Sequence, residues 1–193
     1  MIYKNLEAFV GATMKRIYLI QLLESYFPSD SEEIRFKQQI LDFVRNNPEC
    51  FERSLKEGHI TASAWVTNKN NSKALLMHHT KLDKWFQLGG HCDGEYDTLK
   101  VALKEAHEES GIQTLYAVSK EIFDIDIHLI PENKKEAAHY HYDIRFLLRV
   151  RGSGRLNKNN ESKELRWITK NPNSLPTQMP SIIRMFNKWI NLK

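Results

Sequence analysis

Cysteine is scarce in this chain, and the features that mark several special classes of protein are missing. Its 193 residues include 2 cysteines, Cys50 and Cys92, which lie far apart and do not supply a disulfide framework. No internal repeat or low-complexity segment is present. The most apolar early run, residues 17–23, is too short to span a bilayer and is not followed by a small-residue cleavage site. We therefore expect a cytoplasmic protein.

A strong excess of one sign of charge is also lacking. The chain has 28 Lys and Arg residues against 24 Asp and Glu residues, a formal net charge of +4, and its basic residues form no dense block. Nucleic acid is therefore not an expected partner, whereas a small phosphorylated molecule is compatible with this charge. A chain of this length can bury roughly 70% of the surface that its unfolded form exposes, enough for a hydrophobic core. The sequence does not indicate the oligomeric state.

Helical patterning dominates the N-terminal part of the chain. Apolar residues recur at helical spacing over residues 14–27, where Pro28 ends the pattern, and residues 29–31 offer caps for a second helix. Past Gly58 the pattern becomes strand-like. We therefore expect residues 1–57 to form a helical hairpin packed on a main domain of residues 58–193.

The pattern of the main domain predicts an α/β fold. The strand-like segments are residues 60–67, 74–79, 85–88, 122–130, 140–150 and 165–168, with helices over residues 98–110 and at the C-terminal end. The two longest late strands, 122–130 and 140–150, are expected to pair antiparallel. The helix at 98–110 is expected to end at Gly111, a preferred residue at that position.

The predicted helix 98–110 follows a glycine-rich segment and carries three carboxylates on one face. Glu105, Glu108 and Glu109 stand at i, i+3 and i+4 near the C-terminal end of the helix, where the macrodipole disfavours negative charge. A hard divalent cation such as Mg²⁺ compensates such a group well and bridges it to substrate phosphates. The alternative is a solvated acidic helix face.

The segment from Gly90 to Ile112 resembles the signature of the Nudix hydrolases, G-x5-E-x7-R-E-U-x-E-E-x-G-U, in which U is a bulky aliphatic residue. Six of the nine specified positions match, and the register needs no gap. The departures are Tyr96, Lys104 and Ala106. The start of the segment, Gly-Gly-His-x-Asp-Gly, is similar to one branch of this superfamily.

The resemblance implies a Nudix α/β/α sandwich with a mixed β-sheet, preceded here by the helical hairpin. It also implies a pyrophosphohydrolase that acts on a nucleoside diphosphate linked to another moiety. Mg²⁺ or Mn²⁺ would be held by the Gly90 carbonyl and by Glu105, Glu108 and Glu109, with Glu108 as the general base. Lys104 keeps the charge of the family arginine without its bidentate fork. Tyr96 replaces a peripheral family glutamate, so we expect activity to survive.

Polar residues also alternate along the two late strands. Alternation places one group on a single face of each strand: Asp124, Asp126 and His128 on the first, and His139, His141, Asp143 and Arg145 on the second. One interpretation is a substrate pocket in which Arg145 binds phosphate and a histidine contacts a base or sugar, or ligates a second metal. The other is a solvent-wetted sheet face.

Three further interpretations stay open at this point. Glu161 and Glu164 resemble the late acidic loop that supplies an extra acid in many Nudix enzymes, and we assign this role to Glu164. The departures at Tyr96 and Lys104 are compatible with a catalytically silent Nudix-fold module that senses a nucleotide. Cys92, beside the glycines, keeps open an activity like that of isopentenyl-diphosphate isomerase, which needs a catalytic cysteine.

Overall fold

The structure is a computed structural model that describes residues 2–133 and 136–192, with side chains from Thr13 onward. The helices are α1 (Ile2–Ser25), α2 (Ser31–Asn46), α3 (Thr98–Ser110) and α4 (Pro180–Ile190), with a short 3₁₀ helix at Pro172–Ser174. The strands are β1 (Gly58–Thr67), β2 (Lys73–His79), β3 (Trp85–Phe86), β4 (Leu88–His91), β5 (Leu115–Ala117), β6 (Asp124–Ile130), β7 (His139–Val150) and β8 (Ser162–Thr169).

Eight strands within the described residues form a mixed, curled sheet. The main order is β3-β2-β1-β7-β5, while β4 pairs with β1, β6 with β7, and β8 with β2. Together with the helices, this sheet confirms the predicted α/β fold class and the helices that precede it. The predicted pairing of β6 with β7 is also present.

Backbone contacts divide the chain into two compact units. The first comprises the described residues up to Ala62, together with His91–Thr98 and Glu121–Ile144. Its helices α1 and α2 bury Leu19, Leu23, Ile40 and Val44. Asp30 caps α2 as expected, since its side chain accepts a hydrogen bond from the Glu33 amide at 2.9 Å. The ring of Phe43 on α2 stacks on that of Tyr142 on β7, with centroids 3.9 Å apart.

The second unit comprises Ser63–Gly90, Leu99–Lys120 and Arg145–Lys193. Here β2 and β8 pair antiparallel along their whole length, from Lys73 opposite Thr169 to His79 opposite Ser162. Helix α4 buries Trp189, whose ring lies 6.0 Å from that of Trp65 and whose Nε1 donates to Asn71 Oδ1 at 2.8 Å. Helix α3 buries Val101, Ala102 and Ala106, and Glu109, one turn after Ala106, lies on the same buried side.

Several element bounds differ from the sequence-based expectations. Helix α1 begins at Ile2 rather than Met14, and Leu88–His91 is a strand where a glycine loop was expected. The short strand β5 was not predicted because three residues are too few to show a period. The predicted division at residue 58 stays a prediction. Among the described residues, no helix combines the length and the apolar character needed to cross a membrane.

Candidate active site

The three glutamates near the C-terminal end of α3 differ widely in solvent exposure. Glu109 is 3% exposed, whereas the side chain of Glu108 is 57% exposed and that of Glu105 is largely covered. The helix ends at Gly111, which has a φ of 70° and whose amide donates to the His107 carbonyl at 2.8 Å. This end, with the expected glycine in the left-handed region, fixes the direction of the last turn and therefore of the glutamates on it.

Glu109 is the most deeply buried carboxylate of the three. Its Oε2 accepts a hydrogen bond from the Gly89 amide at 2.8 Å, which anchors one oxygen to strand β4. Burial raises the pKa of Glu109 to about 8, and the charges of Glu105, Glu161 and Glu108 raise it further against the opposing effect of the Gly89 amide. Without a cation, Glu109 therefore carries a proton through much of the neutral range.

Gly90 and Lys104 determine where the Glu105 carboxylate lies. A Cβ built on Gly90 would stand 2.5 Å from Glu105 Oε2, so a side chain at this position would displace the carboxylate. Lys104 Nζ lies 3.0 Å from Glu105 Oε1 and 3.8 Å from Glu108 Oε2. Lys104 therefore contacts two of the three glutamates, through a single ammonium rather than the bidentate fork of an arginine.

The two late glutamates lie in different surroundings. Both oxygens of Glu164 accept hydrogen bonds from Arg166, at 2.8 and 2.9 Å, and these bonds lower its pKa. Glu161, by contrast, acts on Glu109 through its charge. The sequence-based assignment of an extra acid to Glu164 stays a prediction. Of the two late glutamates, Glu161 is the one whose charge raises the pKa of Glu109.

The polar face of β6 and β7 is buried. Asp124, Asp126, His139, Asp143 and Arg145 are each shielded from solvent, so the interpretation of a solvent-wetted face is wrong for these residues. Asp143 accepts a hydrogen bond from Thr61 Oγ1 at 3.1 Å. Arg145 is only 1% exposed, and a phosphate contact by its guanidinium stays a prediction.

Histidines from four separate strands meet in the first unit. The ring of His141 on β7 lies 4.8 Å from that of His59, 5.0 Å from that of His91 and 5.4 Å from that of His128, measured between centroids. Burial lowers the pKa of His59 to about 4 and that of His141 to about 2, with neighbouring histidines adding to the effect. Both rings are therefore neutral at physiological pH. Sequence analysis singled out His139 and His141 but missed His59, whose place opposite them no local pattern reveals.

A family model identifies the chain. The model described as the NUDIX domain matches residues 58–189, more than half of the sequence. The chain belongs to the NUDIX domain family. The enzyme class expected from the sequence, a Nudix hydrolase acting on phosphoric anhydride bonds, is confirmed with it. A comparison with curated protein sequences gave no match.

Solved structures of similar fold support the assignment to the NUDIX family. A NUDIX-family hydrolase from Clostridium perfringens is 26% identical over 68% of this chain and 95% of its own, with a TM-score of 0.52. The Ap4A hydrolase of C. elegans, in a binary complex, is 15% identical over 67% and 93% of the two chains, with a TM-score of 0.54. A UDP-X diphosphatase is 14% identical over 94% of each chain, with a TM-score of 0.51.

The NUDIX family generally uses divalent metal ions, and the carboxylate group of α3 fits such an ion. Its donors are hard oxygens, which Mg²⁺ and Mn²⁺ prefer. Burial is the main cause of the raised pKa of Glu109, and the charges of Glu105, Glu161 and Glu108 add to it. A bound cation would compensate those charges. Gly90 leaves the space in which the Glu105 carboxylate lies. The chemistry and the arrangement of these carboxylates therefore fit a divalent cation.

Tyr96 and Cys92, which sequence analysis singled out in this NUDIX chain, differ in their surroundings. Tyr96 is 40% exposed, its ring meets that of Tyr18 edge-on at 6.1 Å between centroids, and Lys15 Nζ lies 6.0 Å from its centre. Cys92 is buried, and burial raises the pKa of its thiol well above the usual value. Since the thiolate is the reactive form, the buried Cys92 does not favour an isomerase with a catalytic cysteine.

Proposed function

We propose that the chain is a divalent-metal-dependent pyrophosphohydrolase of a nucleoside diphosphate linked to another moiety. The observation that carries this proposal is the buried Glu109, anchored by the Gly89 amide and surrounded by Glu105, Glu108 and Glu161. A cluster of carboxylates that holds a proton on a buried member is suited to exchange that proton for a cation.

The ligands of Mg²⁺ or Mn²⁺ in this proposal are the Gly90 carbonyl, Glu105, Glu108 and Glu109. When bound, the ion neutralises charge on the phosphate oxygens of the diphosphate and lowers the pKa of a coordinated water. Glu109 keeps one oxygen on the Gly89 amide and offers the other. Glu105 is oriented by Lys104 at 3.0 Å.

Glu108 is our choice for the general base. It is the most exposed of the three glutamates, so its carboxylate can reach a water molecule that enters from solvent. That water attacks a phosphorus of the diphosphate, Glu108 accepts its proton, and the second phosphate leaves with the bond electrons.

The substrate class is supported by the structural relatives and by the charge of the chain. The relatives of similar fold include an Ap4A hydrolase and a UDP-X diphosphatase, which by their names act on nucleotides that contain phosphoric anhydrides. Arg145, His139, His141 and Asp143 are the residues proposed to line the substrate pocket. The slight positive net charge of +4 is compatible with an anionic small molecule.

A screen of the purified chain tests the proposal. Nucleoside diphosphate sugars, dinucleoside polyphosphates, ADP-ribose, NADH and capped RNA are each incubated with Mg²⁺ or Mn²⁺, and phosphate release is read after coupling to a phosphatase. Metal-dependent hydrolysis that Glu109→Gln removes and Glu132→Gln retains supports the enzyme, since Glu132 is an exposed glutamate outside α3. Nucleotide binding without any hydrolysis would instead support the silent sensor module.

A further inference from the structure

The three imidazoles of His59, His139 and His141 have the geometry of a metal-ligand set. One ring nitrogen from each lies within 4.8 Å of the ligand atoms of the other two. His139 Nε2 and His141 Nε2 are 3.3 Å apart. Two imidazole nitrogens on one tetrahedral Zn²⁺, each at about 2.0–2.1 Å from the ion, are separated by about 3.3–3.4 Å. The pair in β7 therefore already has the spacing of two zinc ligands.

Hydrogen bonding determines which nitrogen His139 offers. Its Nδ1 lies 2.9 Å from the Ala137 carbonyl, which can only accept, so Nδ1 carries the proton and Nε2 carries the lone pair. A ligating histidine held by a backbone carbonyl through its other nitrogen is a common arrangement in metal sites. Nε2 is also the atom that faces His141.

His59 supplies an independent observation. It is only 2% exposed, and neither of its ring nitrogens has a hydrogen-bond partner among the described residues. A buried polar group without a partner is rare and calls for an explanation such as an ion or a water. The ring lies 5.1 Å from that of His139 and 4.8 Å from that of His141, so the unpartnered nitrogens belong to the cluster.

A close backbone contact between Gly58 and Tyr140 places His59 beside the two histidines of β7. Gly58 has a φ of 146°, and a Cβ at this position would overlap the Tyr140 carbonyl. The Tyr140 amide also donates to the Glu57 carbonyl at 3.2 Å. Since Tyr140 lies between His139 and His141, this contact fixes His59 next to the two residues whose side chains share the other face of β7.

We propose that His59, His139 and His141 form a binding site for a borderline transition-metal cation, for which Zn²⁺ is the best fit. Three neutral nitrogen donors suit Zn²⁺ better than Mg²⁺, which prefers oxygen. The site goes beyond the proposed hydrolysis, because it uses none of the carboxylates of α3, although it shares His139 and His141 with the residues proposed to line the substrate pocket. Its ligands come from β1 and β7, so the ion ties together two strands that the sequence separates widely.

Zinc content measures the site directly. The full chain is stripped with a chelator, loaded with Zn²⁺ in the presence of excess Mg²⁺ to occupy the carboxylates, desalted and analysed by mass spectrometry of the metal. We expect about one Zn²⁺ per chain, as a three-histidine site with an open position binds. His139→Gln and His141→Gln should weaken zinc binding by at least about 100-fold, since even residues behind the ligands contribute about 10–100-fold.

Three matched variants test the assignment of the ligands. His78→Gln removes a histidine of the second unit, and Glu109→Gln removes a carboxylate of α3. His128→Gln removes a ring of the histidine cluster that is not a proposed ligand, since its Nδ1 is paired with Asp126 at 3.2 Å. All three should keep the zinc. Loss of zinc in Glu109→Gln with retention in His141→Gln would overturn the proposal, and equal loss in His128→Gln would overturn the three-ligand assignment.

A spectroscopic measurement keeps the test independent of variants that fail to fold. Co²⁺ replaces Zn²⁺ in four-coordinate nitrogen sites and then shows intense visible absorption bands, which are weak for Co²⁺ bound by six oxygens. We expect these bands when the stripped parent chain is titrated with Co²⁺ and their loss when Zn²⁺ is added. Weak bands only would show that the histidines form a metal-free cluster, and intense bands that Zn²⁺ does not displace would contradict the preference for Zn²⁺.

Discussion

The carboxylate group of α3 and the histidine cluster of the first unit are both groups of titratable side chains with deeply buried members, but they are built differently. The carboxylates lie on one helix within five residues of sequence, so the helical period alone brings them together. The histidines lie on β1, at the end of β4, and on β6 and β7, so only the strand register brings them together. Burial raises the pKa of Glu109 and lowers those of His59 and His141. Desolvation therefore favours the protonated carboxyl of Glu109 and the neutral imidazoles of His59 and His141, and the neutral imidazole is the form that binds a metal ion.

The largest effect expected at the carboxylates is that of Glu109→Gln. The substitution removes a negative charge that holds the cation and, through it, stabilises the phosphate oxygens, so kcat should fall by a factor on the order of 10²–10³. Steady-state kinetics on the substrate found by the screen measures it, with Glu132→Gln as the control. If Glu109→Gln removed zinc as well as activity, the two groups would not be the separate sites that the comparison describes.

A smaller loss of kcat is expected when the Glu105 carboxylate is displaced than when the Glu109 carboxylate is removed. In Gly90→Ala the new Cβ would stand 2.5 Å from Glu105 Oε2, so that carboxylate must move while its charge remains. Misplacement of a positioned group by about 1 Å costs roughly tenfold to a hundredfold in rate. We expect a loss of kcat in that range with little change in melting temperature, measured beside Gly152→Ala. Full activity in Gly90→Ala would mean that Glu105 needs no fixed position.

The stability of the folded chain should depend on pH in opposite directions through Glu109 and through His59. The pKa of Glu109 is raised to about 8 from its usual value of 4.5, so the folded chain binds the extra proton and loses stability as pH rises through this range. His59 has the opposite sign, because its pKa falls from 6.5 to about 4, and its contribution is constant above pH 6.5. Between pH 6.5 and 8 only the carboxylate contribution changes.

In the metal-free chain this change should be measurable by thermal unfolding. A single group contributes at most about 1.4 kcal/mol per pH unit, or about 2 kcal/mol across the window, which corresponds to a fall in melting temperature of roughly 4–8 °C. Glu109→Gln should show a flat profile over the same range. Parallel profiles for the parent and the variant would contradict the burial of a protonated Glu109.

Some properties of the α3 glutamates could be predicted from the sequence, and others could not. The spacing of Glu105, Glu108 and Glu109 within one helix predicted their common face, and the helix has the predicted bounds, Thr98–Ser110. Their unequal burial could not be predicted, because it depends on what packs against each residue, as the Gly89 amide does against Glu109. The effect of Glu161 on Glu109 acts through space and likewise leaves no local pattern.

The histidine cluster was only partly accessible to sequence analysis. Alternation along β7 placed His139 and His141 on one face, which needs only the strand period of two. His59 needs the register of β1 against β7, and that register depends on the close approach of Gly58 to Tyr140. A glycine followed by a histidine at the start of a strand was the available signal, and it has no meaning until the neighbouring strand is known.

The smallest effect is expected at Tyr96, where the chain departs from the family glutamate. Its phenyl ring contacts Tyr18 and lies beneath Lys15, contacts that a phenylalanine ring retains. Glu95 does not simply replace the missing carboxylate, since its Oε1 accepts a hydrogen bond from the Asp97 amide at 3.2 Å. Tyr96→Phe should therefore leave kcat within about tenfold of the parent, well short of the loss on the order of 10²–10³ expected for a carboxylate that contacts the cation. Steady-state kinetics of Tyr96→Phe beside Glu109→Gln measures this difference. A loss in Tyr96→Phe as large as that in Glu109→Gln would assign a chemical role to the phenol and would contradict the proposed mechanism at that step.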